Sequence, residues 1–333
     1  MSDITLSLSQ LFDEFMRWAP VRRSTKKKCR SAWRQWRAFC EAFPNAAAGK
    51  FQTFLRDQVG MPLTSVHSYT AAVSEVYRWL IEQGGEYGVT VNPFQGVKRI
   101  RPGRRRVEVF TTDDLQSLFQ AAGRMPWRDP VRRMRWAGFF LVGLHGLREG
   151  EIWNLRWGYD IDLEGNTLRV QARGNDYAAG FWEWGTKTDM DREVPMSADL
   201  VAFLQRFAIV STHLYPFLKA ETYRTRMAQS WPLPEEARNY PYCNFWREFN
   251  AIRATAQIKA GTFHRLRKNA GTHLAEQRVP MAHARRILGH QSIKTTDQYY
   301  VAVDERLAMA NARNAFDQIP LGPVGFEPTT KGL

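Results

Sequence analysis

The chain has 333 residues, 44% of them hydrophobic and 24% charged. That is the balance of a folded protein of about two domains at ~150 residues each, and it excludes global disorder. The longest nearly uncharged apolar run, residues 137–147, has 11 residues, short of the ~18 a membrane span needs. Lys and Arg number 47 against 33 Asp and Glu, a formal charge of +14. A nucleic acid is therefore the expected partner, ahead of a membrane surface or an acidic protein.

Residues 1–11 carry no basic segment ahead of their apolar residues, so no secretory signal is expected. The three cysteines, Cys29, Cys40 and Cys243, are too few for a disulfide framework or a zinc cluster and suit a reducing, cytoplasmic setting.

The first ~90 residues read as four helices, over 6–17, 24–43, 48–58 and 64–83, from apolar residues recurring at three and four. Trp33, Trp36, Phe39 and Phe43 mark the second of them, and Tyr69, Val73, Val76 and Leu80 the fourth. Between Phe15 and Cys40 stand nine basic residues and no acid: Arg17, Arg22, Arg23, Lys26, Lys27, Lys28, Arg30, Arg34 and Arg37. Without acids to pair with, such a run suits phosphate contact.

Residues 91–106 hold two prolines, two glycines and six basic residues (Lys98, Arg99, Arg101, Arg104, Arg105 and Arg106). With no helical or strand period, they read as a basic linker lying along phosphates. Beyond it, helices are expected over 111–122, 129–144, 197–208, 241–259, 263–276, 280–288 and 292–316. Short strands are expected over 166–172, 180–185 and 192–195. The fold class is mainly α with a small β-sheet: a helical domain over 1–90, a linker over 91–107, an α+β domain over 108–318 and a disordered tail over 319–333.

Four local patterns carry chemistry. In GLHGLREGEIWNLRW, residues 143–157, Arg148 opens a helix and Glu151 follows at three, on the same face. In GTKTDMDREVP, residues 185–195, Lys187 falls between two strand signals and is the one lysine between Lys98 and Lys219. An arginine holds its proton near neutral pH, whereas a lysine can be tuned to release it. In TFHRLRKNAGTHL, residues 262–274, His264 and Arg267 share a helix face. In LGHQSIKTTDQYYVAV, residues 288–303, Gly289 ends one helix, His290 follows the turn, and Tyr299 and Tyr300 lie within the next helix.

Taken in order, Arg148, Lys187, His264, Arg267, His290 and Tyr299 resemble the set found in the tyrosine recombinases, the phage-integrase family. GLREGE, HRLR and LGH with a tyrosine nine residues on are similar to that family's strongest motifs, and TKT…R.VP to its hairpin-lysine motif. The likeness runs over roughly residues 5–316. The helical first domain, with the NP dipeptide before the linker, resembles the family's core-binding (SAM-like) domain. Two features depart from the pattern. Lys268 stands where the family commonly has a second histidine, and the segment near 172–180 is longer than usual. The nine-residue step from His290 selects Tyr299, with Tyr300 as the alternative.

The resemblance implies a site-specific DNA recombinase that works without metal, ATP or other cofactor. Tyr299 would attack a phosphodiester to give a 3′-phosphotyrosyl intermediate and a free 5′-hydroxyl. Arg148 and Arg267 would fork onto the phosphate oxygens, and Lys187 would protonate the leaving oxygen. His264 and His290 would bond the phosphate or take the tyrosine proton, and Glu151 would orient Arg148. Arg22, Arg23, Lys26, Lys27, Lys28, Arg30, Arg34 and the linker cations would hold the DNA backbone.

The partners so implied are double-stranded DNA recombination sites and a homotetramer formed on them, with accessory directionality factors as further candidates. No membrane is involved, and the setting is cytoplasmic, on the nucleoid. Integration or excision of a mobile element is the expected role. The alternatives are Xer-like dimer resolution, a type IB topoisomerase-like enzyme or a non-catalytic DNA-binding protein. The helical pattern begins almost at residue 1, leaving no room for a separate arm-binding domain. The final VGFEPTTKGL, residues 324–333, can be encoded by a stretch resembling the T-arm of a tRNA gene. The gene's 3′ end is therefore expected to overlap its own attachment site.

Overall fold

The computed structural model describes residues 6–21, 23–98, 100, 107–129, 131–176, 178–186, 190–228 and 244–317. The chain divides into two compact units, Met1–Arg105 and Arg106–Leu333. The tail from 319 onward lies outside the described residues.

The first unit contains α1 (Leu8–Trp18), α2 (Arg23–Ala42), α3 (Lys50–Thr53), which continues into a π-helical turn at Phe54–Gln58, and α4 (Leu63–Glu82). Ser7 starts α1: its hydroxyl accepts from the Gln10 N–H while the Gln10 side chain accepts from the Ser7 N–H, which satisfies two otherwise orphaned donors. Apolar residues at three and four put Cys29, Trp33, Trp36 and Phe39 on one face of α2, and Val66, Val73, Val76 and Leu80 on one face of α4. They bury against each other around Phe15, Phe51, Leu55 and Phe94. The indoles find partners inside this core. Trp36 Nε1 donates to Tyr77 Oη at 3.1 Å and Trp33 Nε1 to the Leu8 carbonyl at 3.0 Å.

The linker expected from residue 91 behaves differently over 92–100. Phe94 is 4% exposed and belongs to the core, and Asn92 Nδ2 donates to the Ser74 carbonyl. Gln52, buried, grips the backbone on both sides of residue 99. Its Nε2 donates to the Lys98 carbonyl at 3.0 Å, and its Oε1 accepts from the Ile100 N–H at 2.7 Å. Proline and glycine punctuate this stretch, but one aromatic side chain and the satisfied backbone attach it to the helices.

The second unit contains α5 (Thr112–Arg124), α6 (Val131–Leu144), α7 (Glu149–Trp153), β1 (Ile161–Asp162), β2 (Thr167–Val170), β3 (Arg192–Pro195), α8 (Ala198–Val210), α9 (Ala220–Met227), α10 (Phe245–Thr255), α11 (His264–Glu276), α12 (Met281–Leu288) and α13 (Ile293–Asp317). The sheet is antiparallel in the order β1-β2-β3, with Leu168 opposite both Ile161 and Val194. Helix α6 is apolar on nearly every side and runs through the core, where Trp136, Phe139, Phe140 and Val142 are fully buried. A β-carbon on its Gly138 would lie 2.8 Å from a ring carbon of Phe217, so this glycine lets the aromatic packing close.

The strand expected over 180–185 is not part of the sheet. Residues 173–184 instead form an irregular hairpin held by two isolated bridges, Arg173 with Trp184 and Asp176 with Phe181. The alternating aromatics there are used for packing. Trp182 stacks on Tyr215 with ring centroids 3.9 Å apart, and the Arg173 guanidinium lies near the rings of Trp184 and Tyr215. The third strand is Ile161–Asp162, two residues with no period to read. Helix α9 has no counterpart in the sequence reading. Helix α10 ends at Thr255, near Gln257, whose φ is +58°.

Candidate active site

The turn between α12 and α13 organises the site. Gly289 adopts φ +60° at the C-terminus of α12, a conformation in which glycine carries no side-chain penalty. A β-carbon there would also meet Arg192 Nη1 at 2.9 Å. The last carbonyls of this helix lack intrahelical partners and carry its negative dipole end. Three arginines take three successive ones. Arg192 Nε donates to the Ile287 carbonyl at 2.9 Å, Arg267 donates to that of Leu288, and Arg148 Nη2 to that of Gly289 at 3.2 Å. Arg267, on the first turn of α11 and 1% exposed, also donates to the Gly146 carbonyl.

One buried carboxylate faces these cations. Glu151 on α7 accepts from Arg148 Nη1 at 2.7 Å and from the Arg148 backbone N–H at 2.8 Å. Arg192 forks onto it, Nη1 to Oε1 at 3.1 Å and Nη2 to Oε2 at 2.6 Å. Burial opposes the charge on Glu151, but the guanidiniums of Arg192, Arg148 and Arg267 outweigh it and hold the pKa down at about 2. Burial and the neighbouring Arg148 pull Arg267 down to about 9, still protonated at neutral pH. Three positive charges thus meet one negative charge.

His290 follows Gly289 and is buried. Its Nδ1 lies 3.0 Å from Oγ1 of Thr296, itself fully buried on α13. Burial and the neighbouring Arg267, Arg148, His264 and Arg192 push its pKa down to about 3, so the ring is neutral at physiological pH. The Tyr299 ring lies nearly parallel to it, centroids 6.2 Å apart. Tyr299 is 2% exposed, packed with Ala270, Leu288 and Val303. Burial raises its pKa against the lowering pull of Arg267, a hydrogen bond with Gln298, and Arg148. The hydroxyl is therefore protonated at neutral pH. Tyr300 points elsewhere: its hydroxyl donates to the Val279 carbonyl.

The structure thus brings Arg148, Glu151, Arg267, His290 and Tyr299 together. His264 stands at the first position of α11, exposed, and its charge is felt at His290. Lys187 lies outside the described residues. Of the residues flanking it, fully buried Thr186 accepts from the Met190 N–H at 3.1 Å through its hydroxyl. Sequence reasoning missed Arg192 as a member of the cluster. Its signal was the arginine of REVP, which was read only as part of a hairpin motif.

Of the cations expected on DNA, Lys27, Lys28, Arg30 and Arg34 are exposed. Lys27, Arg30 and Arg34, with Arg37, share one stripe of α2 opposite Cys29, Trp33 and Trp36. Lys26 does not join them: its ammonium donates to the Met16 carbonyl of α1 at 2.9 Å. Arg17 and Arg37 pair with Glu14 and Glu41, acids just outside the basic run. Lys98 is exposed. The backbone of Arg23 opens α2. Arg22, Arg99, Arg101, Arg104, Arg105 and Arg106 lie outside the described residues.

Among the described residues no group of His, Cys, Asp and Glu could hold a metal ion, and no helix is long and apolar enough to cross a membrane.

A helical body with a small antiparallel sheet, and an arginine-rich pocket beside a buried tyrosine, define the class. The chain belongs to the phage integrase family, whose family model matches residues 108–306. This is the tyrosine recombinase family, enzymes that cleave and rejoin DNA. A putative integrase/recombinase of Sinorhizobium fredii, y4rB, is 33% identical over 119 residues, which is 34% of this chain and 33% of that protein. The match thus spans about a third of that relative's length. The tyrosine recombinase XerC of Proteus mirabilis is 23% identical over 72% of this chain and 68% of its own. Among solved structures, a lambda integrase tetramer bound to a Holliday junction superposes with a TM-score of 0.61 at 18% identity. It covers 90% of this chain and 78% of that one, a likeness of fold.

Proposed function

We propose that this protein is a site-specific DNA recombinase that cleaves one strand through Tyr299 and rejoins it to a partner strand. The observation that supports this most is the convergence of Arg148 and Arg267 with His290 on the ring of Tyr299, around carbonyls of one helix end.

The phosphodiester carries one negative charge, and the pentavalent state formed on attack carries two. A cluster of three guanidiniums and one carboxylate, with a surplus of two positive charges, favours the second over the first. Arg148 and Arg267 present forks that suit the non-bridging oxygens. The Tyr299 proton leaves as the Tyr299 oxygen bonds to phosphorus, and His290 or His264 would take it. The 3′-phosphotyrosyl bond and a free 5′-hydroxyl result, and the leaving oxygen is protonated by Lys187. The hydroxyl of a second duplex attacks the phosphotyrosyl bond in return. One phosphoester replaces another, so the exchange needs no energy source.

The exposed stripe Lys27, Arg30 and Arg34 would grip the DNA backbone, and the basic residues 98–106 would continue along it. The working assembly in this reading is a homotetramer on two duplexes; a lambda integrase of similar fold was solved as a tetramer bound to a Holliday junction. The role in this reading is integration or excision of a mobile element, with dimer resolution as the alternative.

The test is a DNA duplex built from the sequence flanking the gene, nicked beside the cleavage point so that the covalent complex is trapped. The wild type should form it and Tyr299→Phe should not, while still binding the DNA. Tyr300→Phe loses only the hydrogen bond to the Val279 carbonyl, worth ~1 kcal/mol of stability, and should still cleave. Trapping by Tyr299→Phe but not by Tyr300→Phe would reassign the nucleophile.

A further inference from the structure

Thr296 places a buried hydroxyl against His290, and the role assigned above to His290 makes no use of it. Its Oγ1 is 3.0 Å from His290 Nδ1, and the side chain is fully buried. His290 is held neutral by burial and by its neighbours Arg267, Arg148, His264 and Arg192. A neutral imidazole has one N–H and one lone pair, and a hydroxyl, which both donates and accepts, can bond Nδ1 in either tautomer and so orient the ring. Thr296 stands three residues before Tyr299 on α13, so hydroxyl and tyrosine lie on one helix face and move as one body. The His290 ring is therefore tied on one edge to the helix that carries Tyr299, and its plane is nearly parallel to the Tyr299 ring.

We propose that Thr296 is a positioning residue: its hydroxyl holds Nδ1 of His290, fixes the orientation of the ring, and leaves Nε2 as the nitrogen that serves the phosphate and Tyr299. This deepens the recombinase reading and rests on it. Because the hydroxyl travels with the tyrosine, any shift of α13 that removes Tyr299 from the site also releases the His290 ring from its orientation. The nucleophile and its neighbour are then set or unset together.

The experiment compares Thr296→Val, which keeps the shape and removes the hydroxyl, with Thr296→Ser, which restores it. In the full-length protein with the nicked duplex, Thr296→Val should slow covalent-complex formation by about ten- to a hundredfold, the span expected when one buried partner is left unsatisfied. Thr296→Ser should recover most of that loss. In a His290→Ala background, Thr296→Val should add less than about twofold, since the two act through one another. Nitrogen-15 spectra of labelled imidazoles near pH 7 should show the His290 Nδ1 shift displaced in Thr296→Val and restored in Thr296→Ser. That spectrum depends neither on DNA nor on cleavage.

Full cleavage by Thr296→Val, or an equal loss in the His290→Ala background, would overturn the assignment. So would a His290 Nδ1 shift that is the same in Thr296→Val as in the wild type. If Thr296→Val fails to fold, Thr296→Ala, which removes the same hydroxyl, gives the same comparison. A wild type that never forms a covalent complex would count against the recombinase reading, while the imidazole spectrum would still judge Thr296.

Discussion

The ring of Tyr299 rests on the backbone of Gly271: a β-carbon at position 271 would lie 2.9 Å from Tyr299 Cε2 and 3.0 Å from Cδ2 and Cζ. Helices α11 and α13 meet here without a side chain between them. Gly271→Ala is a sensitive probe of where Tyr299 must sit. Alanine favours a helix over glycine by ~1 kcal/mol, but overpacking a buried site costs ~1–3 kcal/mol. The ring is 2% exposed with no free space to retreat into, so the clash should win. Gly271→Ala should be destabilised by ~1 kcal/mol in chemical denaturation and form the covalent complex at least about tenfold more slowly. Normal cleavage by this variant would mean that Tyr299 works from another position.

Glu151 gives a pH prediction. Its pKa is about 2 in the folded chain against an ordinary 4.5. The unfolded chain therefore takes up more protons as pH falls. The stability contributed by Glu151 is full above pH 4.5 and is lost as pH drops towards 2, with a magnitude of ~3 kcal/mol. His290, depressed from 6.5 to about 3, works in the same direction over that interval. Glu151→Gln leaves Arg192 buried without its counter-charge and should cost ~3–5 kcal/mol at pH 7. The slope of its stability against pH below 4.5 should be shallower than that of the wild type. An unchanged slope in urea titrations between pH 5 and 3 would remove Glu151 from the acid sensitivity of the fold.

Much of this site could be read in the chain. Arg148 with Glu151, and His264 with Arg267, were visible because three residues on a helix make one face. LGH was visible because a glycine after a helix marks its end. Three features were not. Arg192 looked like one more strand arginine, because its role depends on Ile287 and Glu151, distant in sequence. The 180–185 segment has a strand's alternation, yet Trp182 stacks on Tyr215 and donates to Asn154, and the backbone stays outside the sheet. The basic run of α2 looked uniform, although Lys26 turns inward to a carbonyl that only the folded α1 supplies.

Lys187 is testable through the leaving group. Lys187→Ala should slow cleavage of an ordinary duplex by two or more orders of magnitude, within the range for general acid catalysis, ~10²–10⁴. A duplex with sulfur at the 5′-bridging position expels a thiolate, which needs no proton, and should recover most of that loss. The bond from the Met190 N–H to the fully buried Thr186 involves no atom of Lys187, so the substitution leaves that bond in place. Equal losses on both duplexes would make Lys187 a phosphate clamp.

The stripe on α2 separates binding charge from structural charge. Lys27, Arg30 and Arg34 are exposed, whereas the Lys26 ammonium donates to the Met16 carbonyl. Each phosphate neutralised contributes ~−0.9 to the slope of log K against log salt on duplex DNA. Replacing Lys27, Arg30 and Arg34 together by glutamine should flatten that slope by up to ~2.7, with little change in thermal stability. Lys26→Gln should act in the opposite way. It removes a carbonyl's partner, so stability should fall by ~1 kcal/mol while the salt slope stays within error. The comparison is made by fluorescence anisotropy over a salt series beside thermal melts of both variants. A flattened slope in Lys26→Gln, or an unchanged slope in the triple variant, would place the DNA on another face of the helical unit.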